Sequence, residues 1–111
     1  MLVITDNEVR LTRGDNADIQ VIIKDLNGDT YELQEGDKLL FTIKRNCKTE
    51  DIVIQKDITS DQIISLMHTD TKDLDYGAYV FDVQCTLANG FVYTVIEPHP
   101  FILEKEVTFN V

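Results

Sequence analysis

The side chains best equipped for chemistry in this 111-residue chain are two cysteines, Cys47 and Cys85, and two histidines, His68 and His99. A zinc site needs thiolates and imidazoles at short, recurring spacings, because one ion must be wrapped by ligands from a few adjacent turns. Here the cysteines stand 38 positions apart and neither histidine lies close to them in sequence. The residues therefore predict no metal centre. The cysteines are expected as small buried hydrophobes of a chain made in a reducing compartment. A bridge joining two sheets is the alternative. No Ser/His/Asp or Cys/His set shows the local spacing of a nucleophile with its base. His68 reads as a partly exposed strand residue. The chain is expected not to be an enzyme and to need no cofactor or small-molecule substrate.

Two short motifs invite a binding reading. Asp25-Leu26-Asn27-Gly28-Asp29 places side-chain oxygens at positions one, three and five, as an EF-hand loop does. The pattern fails at position six, Thr30, where glycine must turn the chain, and at position twelve, Gly36, where a bidentate glutamate belongs. A hairpin explains it better. Arg13-Gly14-Asp15 has the form of an adhesion tripeptide. It lies between two strand patterns, and Gly28-Asp29 and Gly36-Asp37 repeat its Gly-Asp pair with no arginine before it. The shared chemistry is that of turns: glycine takes the positive φ, and aspartate accepts hydrogen bonds from nearby amides. It reads as a bend.

The elements that must carry these residues alternate with period two. Strands are predicted over Glu8–Thr12 and over Ala17–Asp25, the latter with Ile19, Val21 and Ile23 inward. Asp37–Arg45 follows with Leu39, Phe41 and Ile43 inward, then Asp51–Ile58 with Ile52, Ile54 and Lys56. Gly77–Leu87 is the longest run, with Tyr79, Phe81, Val83, Cys85 and Leu87 on one side. Asn27-Gly28 and Asn89-Gly90 predict two-residue type I′ hairpins. Between these strands, Ile63–Thr69 is expected as a strand, followed by a helical turn near 70–74 capped by Thr69 or Asp70, with Leu74 inward. Phe91–Ile96 pairs back on Gly77–Leu87. Pro98 and Pro100 then interrupt, and Phe101–Val111 forms the last strand. About eight or nine short strands, with turn signals roughly every eight to twelve residues, predict an all-β sandwich in one domain over residues 1–111.

Twenty acidic against ten basic residues give a formal charge of −10. Such a surface repels phosphate backbones, so nucleic acid is not the expected partner. No apolar run is long enough for a membrane helix. No basic n-region precedes the apolar start, so a cytoplasmic origin is expected.

Asp75-Tyr76-Gly77-Ala78-Tyr79 has the D-x-G-x-Y form that enters strand F of immunoglobulin-like domains, where the tyrosine hydroxyl bonds back to the upstream backbone. Tyr79 is the candidate tyrosine, with Asp75 and Gly77 setting the corner. The usual cysteine two positions on is Phe81, and the chain has no tryptophan. With RGDNADIQVIIKDLNGDTYEL (13–33), GDKLLFTIKR (36–45), DTKDLDYGAYVFDVQ (70–84), NGFVYTVIE and EVTFNV, the chain resembles small immunoglobulin-like structural domains of tailed bacteriophages and prophages of Gram-positive bacteria, of the baseplate or tail-fibre N-terminal type. The resemblance implies a non-catalytic virion or tail-assembly component. Its partners would be other phage structural proteins, with homo-oligomers among the options, and it would sit in the bacterial cytoplasm and then the virion. A carbohydrate- or surface-binding sandwich is the alternative.

Overall fold

Alternation builds most of the molecule. The computed structural model describes residues 2–5, 7–25 and 27–107. Along them run β1 (Leu2–Thr5), β2 (Glu8–Thr12), β3 (Ala17–Gln20), β4 (Ile23–Lys24), β5 (Thr30–Tyr31), β6 (Lys38–Lys44), β7 (Ile52–Asp57), β8 (Ile63–Leu66), a single helical turn α1 (His68–Thr71), β9 (Gly77–Thr86) and β10 (Val92–Glu104). The protein is all-β. Six strands form one sheet in the order β1-β2-β10-β9-β6-β7, while β3 pairs with β8 and β4 with β5 in two small sheets. All pairings are antiparallel except β2 with β10.

One face of the large sheet is a set of apolar rows. Val9, Phe101 and Tyr79 lie abreast, as do Phe81, Ile43 and Ile54 on neighbouring strands, and Val83 pairs with Phe41. All are buried. From the small sheets and their connections, Val21, Ile23, Ile58, Ile64 and Leu66 close the same core. Burial of such area is the main stabilising contribution. Phe81 sits at its centre, with the rings of Phe41 and Phe101 6.0 and 6.3 Å away.

The architecture departs from the sequence expectation in several places, each with a local cause. Ten strands occur among the described residues, two more than the lower expectation, because the Ala17–Asp25 strand divides, β1 and β5 are added, and the strands expected at 91–96 and from 101 run as one. The division falls at Val21. Its N–H donates to the Gln62 carbonyl (2.7 Å) and its carbonyl accepts from Gln62 Nε2 (3.0 Å), so one partner claims both groups and ladder pairing stops. Ile52 is exposed, not inward. The register slips between Ile43 and Lys44, which pair with Ile54 and Ile52, so Val53 bulges and turns toward the core. The strand at 63 ends at Leu66, and the helix starts at His68, earlier than the expected 70–74. Neither Thr69 nor Asp70 is its N-cap. That position is Met67, and Asp70, three residues in, accepts the Met67 N–H (2.8 Å) in the manner of half a capping box. His68 is therefore a helical residue.

The prolines do not divide the last strand. β10 runs through both: the register shift between Ile96 and His99 takes up Pro98, while Pro100 stays in register opposite Val80, at the end of the stretch that β2 leaves open. Glu106 and Val107 are not in a strand, and the remainder of the expected EVTFNV strand lies outside the described residues. Among the described residues no helix is long and apolar enough to cross a membrane.

Candidate functional site

The Arg13-Gly14-Asp15 corner is tied down from three directions. Asp15 N–H donates to the Thr12 carbonyl (3.1 Å) with Gly14 at φ +85°, the arrangement of a type II turn. From α1, the buried Thr71 Oγ1 accepts the Gly14 N–H (2.8 Å), His68 Nδ1 lies 2.6 Å from the Gly14 carbonyl, and the His68 N–H donates to Asn16 Oδ1. The Arg13 guanidinium grips both oxygens of Glu106 (2.8–3.2 Å), donates to the Leu74 carbonyl (2.9 Å) and lies over the Tyr76 ring at 5.4 Å. That hydrogen-bonded pairing raises the Arg13 pKa and lowers that of Glu106. An adhesion motif must offer its arginine. This one spends it inside the molecule.

The D-x-G-x-Y corner adjoins it. Tyr79 is buried, and its hydroxyl donates to the Asp75 carbonyl at 2.6 Å. The Asp75 carboxylate meanwhile holds Arg45 at 3.0 Å, which places that guanidinium 4.8 Å from the centre of the Tyr79 ring. Burial raises the Tyr79 pKa, so the phenol stays a donor at neutral pH. Gly77, at φ +137°, gives the corner its sharp entry into β9.

At the other end of β9, the Gly36-Asp37 corner carries the most densely used carboxylate. Asp37 is buried. Its Oδ2 accepts from Gln34 N–H (2.9 Å) and Tyr31 O–H (2.8 Å), and its Oδ1 from Ala88 N–H (2.9 Å). These donors, the Gln34 amide first, lower its pKa, fold the 31–37 stretch around the carboxylate and bind it to Ala88. Gly36 is confined as well as turned: φ is +90°, and a Cβ there would lie 2.9 Å from the Ala88 Cβ.

The two Asn-Gly hairpins are not the expected two-residue type I′ loops. Such a loop needs positive φ at both central residues, and only Gly28 (+83°) and Gly90 (+91°) have it, not Asn27 or Asn89. Instead the Gly28 N–H donates to Asp25 O while Asp25 N–H donates to Asp29 O. Gly90 N–H to Leu87 O and Leu87 N–H to Phe91 O repeat the scheme. Both are three-residue loops closed by a glycine bulge. The EF-hand-like oxygens are used here too, since Asp25 Oδ1 accepts the N–H groups of Asn27 and Asp29. Among the described residues no group of three or more His, Cys, Asp and Glu side chains is placed to hold a metal.

The cysteines divide. Cys85 is buried, where desolvation raises its pKa, and Cys47 is exposed, contrary to the expectation that both are buried; both thiols are free. Cys47 follows Asn46, whose Oδ1 accepts the N–H groups of Lys48 and Thr49 and turns this loop outward.

Two features were not evident from motifs. The outer face of the large sheet holds a shallow cleft of about 310 Å³, lined by Thr42, Lys44, Ile52, Gln55, Asp82 and Gln84. Burial raises the Asp82 pKa, with Lys44 opposing. Beside the Asn89-Gly90 hairpin, Phe91, Val92 and Tyr93 are exposed. Their signal in the sequence is the run FVYTVI (91–96), which abandons alternation and carries no charge. No family model, curated protein or solved structure matches the chain.

Proposed function

We propose that this chain is a non-catalytic interaction module of a tailed-phage or prophage particle, an immunoglobulin-like β-sandwich domain over residues 1–111. The observation that carries the reading is how its functional groups are spent. Arg13, Asp37, Asp70 and Glu106 each bind one segment of the chain to another, Asp25 closes its own hairpin, and among the described residues the sheet is left with an open outer face and an uncovered strand edge. The strand order supports the immunoglobulin-like part. β10-β9-β6-β7 follows the G-F-C-C′ sequence of that sandwich, β3 with β8 follows B with E, and the Tyr79 hydroxyl makes the backward bond of a tyrosine corner. An acidic, compact module of this kind stays soluble in the cytoplasm until neighbouring phage structural proteins, or further copies of itself, take it into the virion.

The test is co-sedimentation. After induction of the source bacterium, particles are purified on a density gradient and the chain is quantified in them by mass spectrometry. Fixed stoichiometry with capsid or tail proteins is the expected result; recovery only in the soluble fraction overturns the reading. The outer-face cleft favours a second reading, a surface- or carbohydrate-binding module, because Gln55, Asp82 and Gln84 bring amide and carboxylate groups together on a concave sheet. A glycan array with no hits removes it.

A further inference from the structure

The uncovered part of β10 has the geometry of a self-pairing edge. β9 flanks β10 from Val92 to Leu103, whereas β2 covers only Phe101–Glu104, so among the described residues no strand lies along the far side of Val92–Pro100. The hairpin sets the direction of its polar groups. Leu87 N–H bonds to Phe91 O, which makes Leu87 and Phe91 a hydrogen-bonded pair. In an antiparallel ladder such pairs alternate with pairs whose groups face away. Val92 with Thr86 and Thr94 with Gln84 are therefore of the second kind, and the N–H and C=O groups of Val92 and Thr94 are directed outward.

These four groups are flanked by apolar side chains left in solvent: Phe91 is 60% exposed, Val92 56% and Tyr93 52%. The Phe91 and Tyr93 rings already stand edge to face at 6.4 Å. Protected edges carry charges, prolines or bulges. β10 has those devices only further on, at Val95, Glu97, Pro98 and Pro100, and they mark where pairing must stop.

We infer that Val92–Thr94 pairs with the same segment of a second copy, antiparallel about a twofold axis at Tyr93. Val92 of each copy then lies opposite Thr94 of the other, and the two pairs exchange four N–H···O bonds. The two Tyr93 rings meet across the closer, non-hydrogen-bonded position. Charge favours this occupant. In a chain of net charge −10, Phe91–Ile96 carries none, and the first carboxylate beyond it, Glu97, falls opposite the uncharged Ala88–Gly90 turn of the other copy. Within the paired stretch itself no carboxylate faces another. β7, the outermost strand at the far side, offers no such match, since it carries Lys56 and Asp57 and follows Asp51.

A ladder this short falls below the roughly 800 Å² per partner of a stable interface, so the contact is weak and reversible in solution. It gains strength where copies are held close together. The inference rests on the assembly reading for that setting, not for the contact itself.

Sedimentation equilibrium of the full chain, from roughly 10 µM to 1 mM at physiological salt, tests it. The expected mass rises with concentration from 12.7 kDa toward twice that value. Thr94→Pro removes an outward N–H that the β9 ladder does not use, and should hold the chain at monomer mass with an unchanged circular dichroism spectrum. Tyr93→Lys should do the same by setting two ammonium groups against each other at the axis. It also lowers the net negative charge, so non-specific association would increase instead. Tyr93→Cys in a Cys47→Ser, Cys85→Ala background, which also removes the thiol facing position 93 from β9, should form a disulfide-linked dimer on mild oxidation, because the paired Cα atoms lie within bridging distance. A constant 12.7 kDa at the highest concentration, or association that survives both single variants, overturns the inference. A monomer found in purified particles would remove this edge and keep the assembly reading. A dimer absent from particles would do the reverse.

Discussion

The two ends of β10 are one strand in two environments. At Phe101–Glu104 it is flanked by β2 and β9, and Phe101 and Leu103 are buried. At Val92–Thr94 it has one neighbour, and side chains of comparable size stand in solvent. The closed end also gathers Tyr79, which bonds back to the Asp75 carbonyl at the start of β9, and the Arg13–Glu106 pair, which joins two distant segments. The difference separates two uses of the same β-forming residues: one end holds the fold together and the other leaves backbone and ring surface for contact.

The largest effect that sharpens the contrast is expected at Phe101, which touches Phe81 edge to face and lies abreast of Val9 and Tyr79. Phe101→Ala should destabilise by about 3–5 kcal/mol, the cost of lost transfer energy plus an incompletely collapsed cavity. Urea unfolding should show the midpoint falling with the slope retained.

Next comes Asp37, the one tie of comparable density at the open end. Asp37→Asn replaces a carboxylate oxygen that accepts N–H bonds with an amide that presents a donor to another donor. Its melting temperature should fall by several degrees at neutral pH. The same substitution changes the response to acid. The folded-state pKa of Asp37 lies below its ordinary 3.8. Its contribution is therefore complete above that value and is lost as pH falls through the lower folded value. Thermal melts from neutral pH downward should show a steeper acid limb for the parent than for Asp37→Asn. Parallel limbs would mean that the three donors do not favour the charged form.

Gly36→Ala and Gly28→Ala then test whether that open end is tight or merely turned. Both glycines have positive φ, which costs an L-residue about 1–2 kcal/mol. Only at Gly36 would the new Cβ also meet a neighbour, Ala88 at 2.9 Å; at Gly28 nothing lies within 4 Å. Chemical denaturation should rank Gly36→Ala as the more damaging. At the closed end, Tyr79→Phe keeps the ring and removes only the bond to the Asp75 carbonyl, for an expected loss of about 1 kcal/mol.

How far the sequence foretold this arrangement depends on where the cause of each feature lies. β6 and β9 were legible because their inward residues are apolar without exception and glycine marks each start. The D-x-G-x-Y stretch likewise pointed to Tyr79 as the residue to watch. The division of β3 from β4 was not legible, because its agent is Gln62, more than forty positions away. Nor was the exposure of Ile52, which follows from a one-residue slip that alternation cannot see. Pro98 in β10 misled for a related reason: a bulge leaves the strand's course intact while excusing one residue from the ladder. Asn46 was a readable signal for the outward loop that exposes Cys47, since asparagine bonding two residues ahead is a local device. Local causes can be read from a sequence, and contacts between distant segments cannot.

The smallest effect is the one that completes the comparison. Phe91 is as large as Phe101, is 60% exposed, and its ring contact is with Tyr93, itself half in solvent. Folding therefore removes little of its surface from water, and truncation opens no cavity in the core. Phe91→Ala should change unfolding free energy by no more than about 0.5 kcal/mol in dilute solution. The measurement must be made well below the concentration at which copies meet, because a ligand of the native state, including a second copy, adds stability by mass action. Repeated at high concentration, the parent should gain in midpoint and Phe91→Ala should gain less. A large loss in dilute solution would instead place this ring in the fold's own support, and the two ends of β10 would no longer differ in kind.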